Sequence, residues 1–219
     1  GEFGYGRMAE VNEILEEIEL CFCEKNLDGL HFLVTSGPTR EPLDPVRFIG
    51  NRSSGLQGEA IAKELIGKGA NVTFITGPVD LEPPRGSNVI KVETADEMFD
   101  AVHSSLPADA AIFAAAVADW KIKNANNQKV KKQTGKLPTF DLIENKDILA
   151  SISQLKKNRP KFVMGFAAET ENIIEHAKSK LKKKGCDCIV ANDVSLGTKT
   201  MGGNENTAIV VSEFGVEKL

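Results

Sequence analysis

Apolar residues occur along this chain in two spacings. Short, nearly continuous runs, such as HFLVT at 31–35, are typical of strands that are buried on both faces. Apolar positions three or four residues apart, as in 56–68, indicate helices that bury one side. The runs predict strands at 31–35, 71–76, 88–92, 110–118, 139–143, 161–166, 187–191 and 207–212, and the spaced positions predict helices at 8–22, 56–68, 95–105, 146–157 and 169–184. Because strands and helices alternate, we predict an α/β fold: a three-layer α/β/α sandwich, Rossmann-like, with a mostly parallel sheet.

The first predicted helix differs from the others in its charge. Glutamates cover its polar face, and the polar and glycine residues at 26–29 end the helical pattern. We therefore predict that residues 1–28 form an appendage or the tail of a preceding module, with a remnant of cloning at 1–3. Residues 29–219 would form the main domain.

Composition narrows the class of protein. The chain has 219 residues, 41% of them hydrophobic, and a formal net charge of −4, so it can bury a core and its mild acidity argues against nucleic-acid binding. No apolar stretch approaches the roughly 20 residues that span a bilayer, and no signal-peptide pattern opens the chain. The four cysteines form two C-x-C pairs, which do not fit zinc spacing and predict free, buried thiols in a reducing compartment. We expect a cytoplasmic protein without a membrane or nucleic-acid partner.

A cluster of lysines follows the predicted strand at 110–118. Five lysines lie between positions 119 and 133, namely Lys121, Lys123, Lys129, Lys131 and Lys132. In open α/β sheets, ligands bind beyond the carboxyl ends of the strands, so a cationic segment there indicates an anionic ligand such as a polyphosphate. The alternative is a solvated charge run that binds nothing.

The stretch after the first predicted strand is rich in proline and carries Arg40 and Arg47, followed by Arg52. Guanidinium groups suit phosphate or carboxylate. The run at 51–55, NRSSG, precedes a predicted helix and is a candidate anion site; the alternative is an ordinary serine N-cap beside exposed arginines. No G-x-G-x-x-G fingerprint follows the strand, and the only tyrosine is Tyr5, which excludes a tyrosine-based dehydrogenase.

Three further loops follow predicted strands. ENKD at 144–147 precedes a helix whose first N–H groups could bind an anion, although the same residues also make an ordinary capping sequence. In GFAAE at 165–169, Phe166 could stack on a base, although a phenylalanine is more often a core residue. AND at 191–193 follows the next strand. Because these loops follow strands of one predicted parallel sheet, we expect them to face one crevice.

Five segments occur in the order SGPTREPLDPVRFIGNRSSG, AAAVADW, KVKKQ, GFAAET and AND. Together they resemble phosphopantothenate–cysteine ligase, also called phosphopantothenoylcysteine synthetase, of the bacterial type. The resemblance runs from Leu30 to Ser212. GYGRM near the start resembles the tail of the phosphopantothenoylcysteine decarboxylase domain to which bacterial ligases are often fused, so the resemblance implies such a fusion and a homodimer.

The resemblance implies a two-step ligation. The carboxylate of 4'-phosphopantothenate attacks the α-phosphorus of CTP and releases pyrophosphate; the amine of cysteine then attacks the acyl-cytidylate and releases CMP, with Mg2+ expected as a cofactor. Asn51 matches the position tied to processing of the acyl-cytidylate, and Lys129 matches the phosphate-contacting lysine. The positions that match nucleotide contacts are Phe113, Ala114, Ala115, Asp119, Lys129, Lys146, Asp147, Ile148, Leu149, Phe166, Lys180 and Lys184. Those that match substrate contacts are Arg47, Asn51, Ser53, Ser54 and Ala116, and no metal ligand is assigned.

Two other functions stay open at this stage. One is a non-catalytic nucleotide-binding module on the same scaffold. The other is an oxidoreductase with a nicotinamide cofactor, against which the missing glycine fingerprint and the missing tyrosine weigh. Trp120, which follows Asp119, is given no catalytic role.

Overall fold

A computed structural model of the chain describes residues 8, 10–131, 138–195 and 208–218. The helices are α1 (Val11–Phe22), α2 (Leu56–Gly67), α3 (Ala95–Ser104), α4 (Ile148–Ser153) and α5 (Ile173–Lys184). The strands are β1 (His31–Ser36), β2 (Arg40–Asp44), β3 (Arg47–Gly50), β4 (Asn71–Thr76), β5 (Asn88–Lys91), β6 (Ala110–Phe113), β7 (Trp120–Ile122), β8 (Leu142–Glu144), β9 (Phe162–Glu169), β10 (Cys188–Asp193), β11 (Ala208–Ser212) and β12 (Gly215–Lys218). Among the helices described, none combines the length and apolar character that a bilayer span requires.

Within the described residues, one 8-stranded sheet forms the centre of the fold, in the order β12-β11-β10-β9-β6-β1-β4-β5. The strands from β10 to β5 in that order are parallel to their neighbours, whereas β11 is antiparallel to β10 and β12 to β11. From β1 the order runs one way to β4 and β5 and the other way to β6, β9 and β10, so it reverses between β1 and β6. At such a point the outgoing loops diverge and leave a crevice. The predicted mostly parallel sheet is confirmed.

Helices cover both faces of this sheet. On one face, α2 packs through Ala62 against residues that include Val34 of β1. On the other face, α3 and α4 pack through Met98 and Ile152 against residues that include Leu33, and α5 joins the same cluster. Leu33 and Val34 are both completely buried because successive strand residues point to opposite faces. The arrangement confirms the predicted three-layer α/β/α sandwich.

The proline-rich stretch after β1 contains a hairpin that the apolar pattern did not predict. β2 and β3 pair antiparallel, with an irregular register between Pro42 and Asp44. Glu41 of β2 is 1% exposed, and its carboxylate accepts a hydrogen bond from the N–H of Ala95 at 2.9 Å. A buried carboxylate at the first turn of α3 is stabilised by the free N–H groups of that turn. This contact anchors the hairpin to the main domain.

The predicted strand at 110–118 is too long. β6 ends before Ala114, whose N–H donates to the carbonyl of Thr35 at 3.2 Å, and the N–H of Ala116 donates to the carbonyl of Gly37 at 2.9 Å. Ala114 therefore still bonds to the end of β1, whereas Ala116 bonds to the loop that follows β1 and lies outside the regular strand. An apolar run indicates burial but does not distinguish a strand from an irregular buried segment.

Other predicted boundaries shift as well. α4 begins at Ile148, because the carboxylate of Asp147 caps the helix by accepting the N–H of Ala150 at 3.0 Å, and it ends well before residue 157. β9 extends to Glu169, so α5 begins later than predicted. β7 and β12 had no predicted counterpart, and β8 lies slightly later than the predicted strand at 139–143. Position 207 of the last predicted strand lies outside the described residues.

The N-terminal helix is confirmed as α1. Its residues Val11, Leu15 and Ile18 are exposed. The connection to β1 is held at Leu27, whose N–H donates to the carbonyl of Lys68 at 3.0 Å. The division of the chain after residue 28 stays a prediction.

The cysteines divide into two environments. Cys186 and Cys188 are buried free thiols, as predicted, and burial raises the pKa of Cys186 to about 11. Cys21 is exposed and Cys23 is half-buried, so the prediction of buried thiols is wrong for the N-terminal pair. The described structure contains all four as free cysteines.

Candidate functional site

A cavity of about 510 Å³ lies at the carboxyl ends of β1, β6 and β9. Thr35, Phe113 and Phe166 line it from these three strands, and residues of α4 and α5 close its side. The volume is in the range of sites that hold small molecules. Its position beside the reversal between β1 and β6 is where open α/β sheets bind ligands.

Most of the predicted nucleotide contacts line this cavity. They are Phe113, Ala115, Asp119, Lys146, Asp147, Ile148, Leu149, Phe166, Lys180 and Lys184. They come from four separate parts of the sequence, which the parallel sheet brings to one edge. The expected convergence is thus found for the loops after β6 and β8 and for Phe166, whereas Ala114 and the AND turn at 191–193 do not line the cavity. The role of each residue stays a prediction.

Sequence reasoning missed a second group of lining residues. They are Thr35, Met98, Val117, Ala118, Trp120, Lys183 and Ile189, whereas Glu144 and Asn145, which also line the cavity, belong to the candidate loop ENKD at 144–147. Several are apolar and were indistinguishable from core residues in the sequence. Trp120 offered the sequence signal of directly following Asp119 of the AAAVADW segment, and the structure shows that the residue is 54% exposed.

Asn51 lies beside the cavity wall. Its side-chain amide donates to the carbonyls of Ala116 and Val117, at 3.1 and 3.2 Å, and Val117 lines the cavity. The hydroxyls of Ser53 and Ser54 accept the N–H groups of residues 55 and 56 at 3.4 and 3.5 Å. Of the predicted substrate contacts, the structure therefore brings Asn51 and Ala116 to the site edge, whereas the two serines face the start of α2.

Arg47 and Lys129 do not line the cavity. The guanidinium of Arg47 donates to the carboxylate of Asp44 from Nε at 3.1 Å and from Nη2 at 2.5 Å, and Nη2 also donates to the carbonyl of Val130 at 3.0 Å. Lys129 is exposed and adjoins this contact. The structure thus holds the lysine segment against the β2–β3 hairpin, and Lys132 lies outside the described residues.

One carboxylate of α3 holds two of the lysines at the cavity mouth. Asp96 pairs with Lys121 of β7 and, at 3.5 Å, with Lys146. The Lys146 ammonium also lies 4.4 Å from the centre of the Phe99 ring, a cation–π contact. The hydrogen bond from Lys121, opposed by desolvation, lowers the pKa of Asp96. Both ammonium groups are therefore held in fixed positions.

The lysines of α5 are held in a similar way. Lys180 pairs with Glu169 at 2.7 Å, and Lys184 pairs with Asp147. Burial of Glu169 favours its neutral form, but hydrogen bonds from Lys180 and His176 outweigh burial and lower the pKa of that carboxyl. An arriving anion would meet ammonium groups that are already oriented, although it must compete with these carboxylates.

The start of α4 contributes less to anion binding than the sequence suggested. The helix has 6 residues, and the Asp147 side chain already occupies the N–H of Ala150. The macrodipole of so short a helix is small. The cationic character of the cavity therefore depends mainly on its lysines.

Residues that could hold a divalent cation are few in this cavity. No group of three or more histidine, cysteine, aspartate or glutamate side chains forms a cage within the ranges that the structure describes. Mg2+ usually binds through one or two carboxylates together with phosphate oxygens of the substrate. Asp119 and Glu144 line the cavity, and neither is ion-paired with another described residue.

The fold and the cavity define an α/β protein of the kind that binds its ligand outside the carboxyl ends of parallel strands. Residues 27–219 match the protein family described as "DNA/pantothenate metabolism flavoprotein C-terminal domain". The chain belongs to this family.

Several proteins similar to this chain share one name. The "Coenzyme A biosynthesis bifunctional protein CoaBC" of Haemophilus influenzae is 43% identical over 221 residues, which is 100% of this chain and 54% of that protein. The protein of the same name from Escherichia coli is 43% identical over 210 residues, 94% of this chain and 52% of that protein. The crystal structure of the C-terminal domain of a protein of this name aligns with a TM-score of 0.72 and 36% identity, covering 88% of this chain and 87% of that one. The chain spans about half the length of the curated relatives it matches.

Proposed function

We propose that the chain is a phosphopantothenate–cysteine ligase, which joins 4'-phosphopantothenate to cysteine through an acyl-cytidylate made from CTP. The observation that carries the proposal is the cavity at the reversal of strand order, where two phenylalanines and several oriented lysines meet. The relatives named for coenzyme A biosynthesis and the family membership agree with this assignment.

The cavity offers separate surfaces for the two ends of a nucleotide. Phe113 and Phe166 provide aromatic surface near the strands, suited to stacking on a pyrimidine ring. Lys146, Lys180 and Lys183 line its outer part and suit a triphosphate. We propose that CTP binds with its base toward the sheet and its phosphates toward α4 and α5.

Charge neutralisation is the main requirement of the first step. The substrate carboxylate attacks the α-phosphorus, a new C–O–P linkage forms, and the bond to the β-phosphate breaks so that pyrophosphate leaves. Fixed ammonium groups stabilise the charge that accumulates on the phosphate oxygens. Lys146, held by Asp96 and Phe99, and Lys180, held by Glu169, are the groups whose positions suit this role.

The second step needs an amide rather than a carboxylate at Asn51. The cysteine amine attacks the acyl carbon, the acyl–oxygen bond breaks, the amine loses a proton and CMP leaves. Asn51 lies at the cavity edge and can hydrogen-bond the activated acyl group without acting as a nucleophile. We assign Asn51 to holding the acyl-cytidylate for this attack.

Mg2+ fits the cavity as a partner of the nucleotide phosphates. Asp119 and Glu144 would hold it, with the remaining ligands supplied by phosphate oxygens and water. When bound, the ion would neutralise charge on the triphosphate. The lysines around the cavity would orient the triphosphate.

Further partners follow from the resemblance and from the relatives. We propose that the chain forms a homodimer, that it is natively joined to a phosphopantothenoylcysteine decarboxylase, and that it acts in the cytoplasm. The relatives are called bifunctional, and the chain spans about half of their length. The exposed apolar residues of α1 would then belong to the junction with the preceding module.

The test is a coupled assay of the purified chain with CTP, Mg2+, 4'-phosphopantothenate and cysteine. We expect pyrophosphate and CMP in equal amounts, and pyrophosphate without CMP release when cysteine is left out, limited to about one turnover. Nucleotide binding without pyrophosphate would instead indicate a non-catalytic module. Tight NADPH binding with no CTP binding would indicate an oxidoreductase.

A further inference from the structure

We infer that Asp44 is a positioning residue that fixes the lysine segment to the β2–β3 hairpin. It does so by holding the backbone of Val130, which lies between Lys129 and Lys131. We call the contacts of Asp44, Arg47 and Val130 the Asp44 latch. Its effect on the reaction rests on the proposed function, whereas its effect on the position of the segment does not.

Both oxygens of the Asp44 carboxylate accept hydrogen bonds. Oδ1 accepts the N–H groups of Val46 and Arg47 at 2.9 and 3.0 Å, which closes the turn of the hairpin. Oδ2 accepts the guanidinium of Arg47 and, at 3.0 Å, the N–H of Val130. The bond to Val130 joins residues 86 positions apart, so it does not serve the turn.

Both polar groups of Val130 are held by this one ion pair. Its N–H donates to Asp44, and its carbonyl accepts Nη2 of Arg47 at 3.0 Å. A second hydrogen bond, from the N–H of Asn126 to the carbonyl of Leu43 at 3.1 Å, fixes the same segment earlier in its course. The segment is therefore fastened to the hairpin at two points.

The burial of Asp44 indicates that these contacts define the structure. Its side chain is 0% exposed, whereas that of Arg47 is 46% exposed. A buried carboxylate is unfavourable unless its oxygens are hydrogen-bonded, and Val130 supplies one of the bonds. The bond from Arg47 is the largest of the effects that hold the pKa of Asp44 well below its usual range.

The lysines beside the latch differ from those around the cavity. Lys146, Lys180 and Lys184 are each paired with a carboxylate, whereas Lys129 and Lys131 are exposed and form no ion pair within the described part of the chain. The latch holds them through their backbone and leaves their ammonium groups uncommitted. Two such cations at a fixed place suit the part of a polyphosphate that extends beyond the cavity.

The latch also gives Arg47 a role other than substrate binding. Its guanidinium is engaged by Asp44 and Val130, in the hairpin that leads through Gly50 to Asn51. The same hairpin thus carries Asn51 to the cavity edge and holds the lysine segment. Asp44 couples the positions of Asn51 and Lys129, the two residues assigned to catalysis.

The test compares Asp44→Asn and Arg47→Lys with Asp80→Asn, a change of an exposed aspartate outside the latch. Hydrogen exchange followed by mass spectrometry reports the segment around Val130. Because each latch variant loses or weakens a charge-assisted bond, we expect faster exchange there by roughly tenfold to hundredfold, and no change in Asp80→Asn. Arg47→Lys keeps the carboxylate paired, so it serves where Asp44→Asn does not fold.

Activity provides the second readout. If the latch positions Lys129, both variants lower kcat for pyrophosphate release by about 10–100-fold, the cost of misplacing a catalytic group, with a smaller change in KM for CTP.

Unchanged exchange around Val130 in both variants would overturn the latch itself. Faster exchange with unchanged kcat would overturn its part in positioning. If the unmodified chain releases no pyrophosphate, the proposed ligase function fails, and the exchange experiment still decides whether Asp44 holds the segment.

Discussion

Gly165 offers a sharp test of how closely the floor of the cavity is packed. A Cβ atom at this position of β9 would lie 2.4 Å from Cδ2 of Leu149 and 3.1 Å from Cδ1 of Ile189. Both neighbours line the cavity. Gly165→Ala therefore forces Leu149 to move and Ile189 to give slightly.

The size of the effect follows from these two distances. Overpacking a core costs about 1–3 kcal/mol in the free energy of unfolding. Because the closest atom is the end of a leucine side chain at the start of α4, it can turn away, so we expect the lower half of that range, about 1–2 kcal/mol. Since Leu149 forms part of the cavity wall, we also expect CTP to bind about tenfold more weakly.

Denaturant unfolding and calorimetric titration with CTP measure the two effects. The matched variants are Leu149→Ala and the double variant Gly165→Ala with Leu149→Ala. Leu149→Ala alone should lower the free energy of unfolding by about 2 kcal/mol, the low end of the range for leucine-to-alanine changes, because Leu149 is only half-buried. In the double variant the new methyl group fills space that the leucine vacates. Its loss of unfolding free energy should therefore be smaller than the sum of the two single losses by about 1 kcal/mol.

Strict additivity would contradict this reasoning. If the loss of unfolding free energy in the double variant equals the sum of the two single losses to within about 0.5 kcal/mol, the contact between Gly165 and Leu149 carries no packing energy. A Gly165→Ala variant with unchanged stability and unchanged CTP affinity would show that the floor of the cavity is looser than the distances indicate.

Three more expectations concern the reaction, the thiols and acid stability. Lys129→Ala should abolish pyrophosphate release, while Asn51→Asp should release it and accumulate the acyl-cytidylate; unchanged turnover in both would remove these two assignments. At pH 8 a thiol reagent should modify exposed Cys21 and leave buried Cys186, with its pKa of about 11, unmodified until the chain unfolds; equal rates would refute the burial of Cys186. The backbone N–H of His31 and the ammonium of Lys161 lower the pKa of Asp109, so its contribution to stability is complete above about pH 4 and is lost as pH falls through its folded pKa. Asp109→Asn should therefore flatten the dependence of unfolding free energy on pH below about 4, and an unchanged slope would refute that contribution.

Apolar patterning predicted the sheet because its strands are covered on both faces. Runs such as NVTFIT at 71–76 became β4 with the predicted bounds. The same signal failed at Ala114–Ala118, which continue no regular strand: Ala114 bonds to Thr35 at the end of β1, and Ala116 bonds to Gly37 in the loop after it. Local composition indicates which residues are buried, whereas the hydrogen-bond partner of each residue depends on distant parts of the chain.

Convergence of the strand-end loops was predictable because parallel strands share one edge. The hairpin was not, since its prolines and charged residues obscure any alternation, and its buried Glu41 depends on the first turn of α3. The contact of Arg47 with Val130 likewise depends on residues 83 positions apart. The pairing of Arg47 with Asp44 and Val130 was therefore not foreseen, and its assignment to the substrate stays a prediction.

The transfer of an oxygen atom tests the central proposal most directly. The chain is given 4'-phosphopantothenate labelled with oxygen-18 in its carboxylate, together with CTP, Mg2+ and cysteine, and the CMP is analysed by mass spectrometry. If the carboxylate attacks the α-phosphorus in this cavity, each CMP carries one labelled oxygen and pyrophosphate carries none. Unlabelled CMP, or label in orthophosphate, would contradict activation through an acyl-cytidylate.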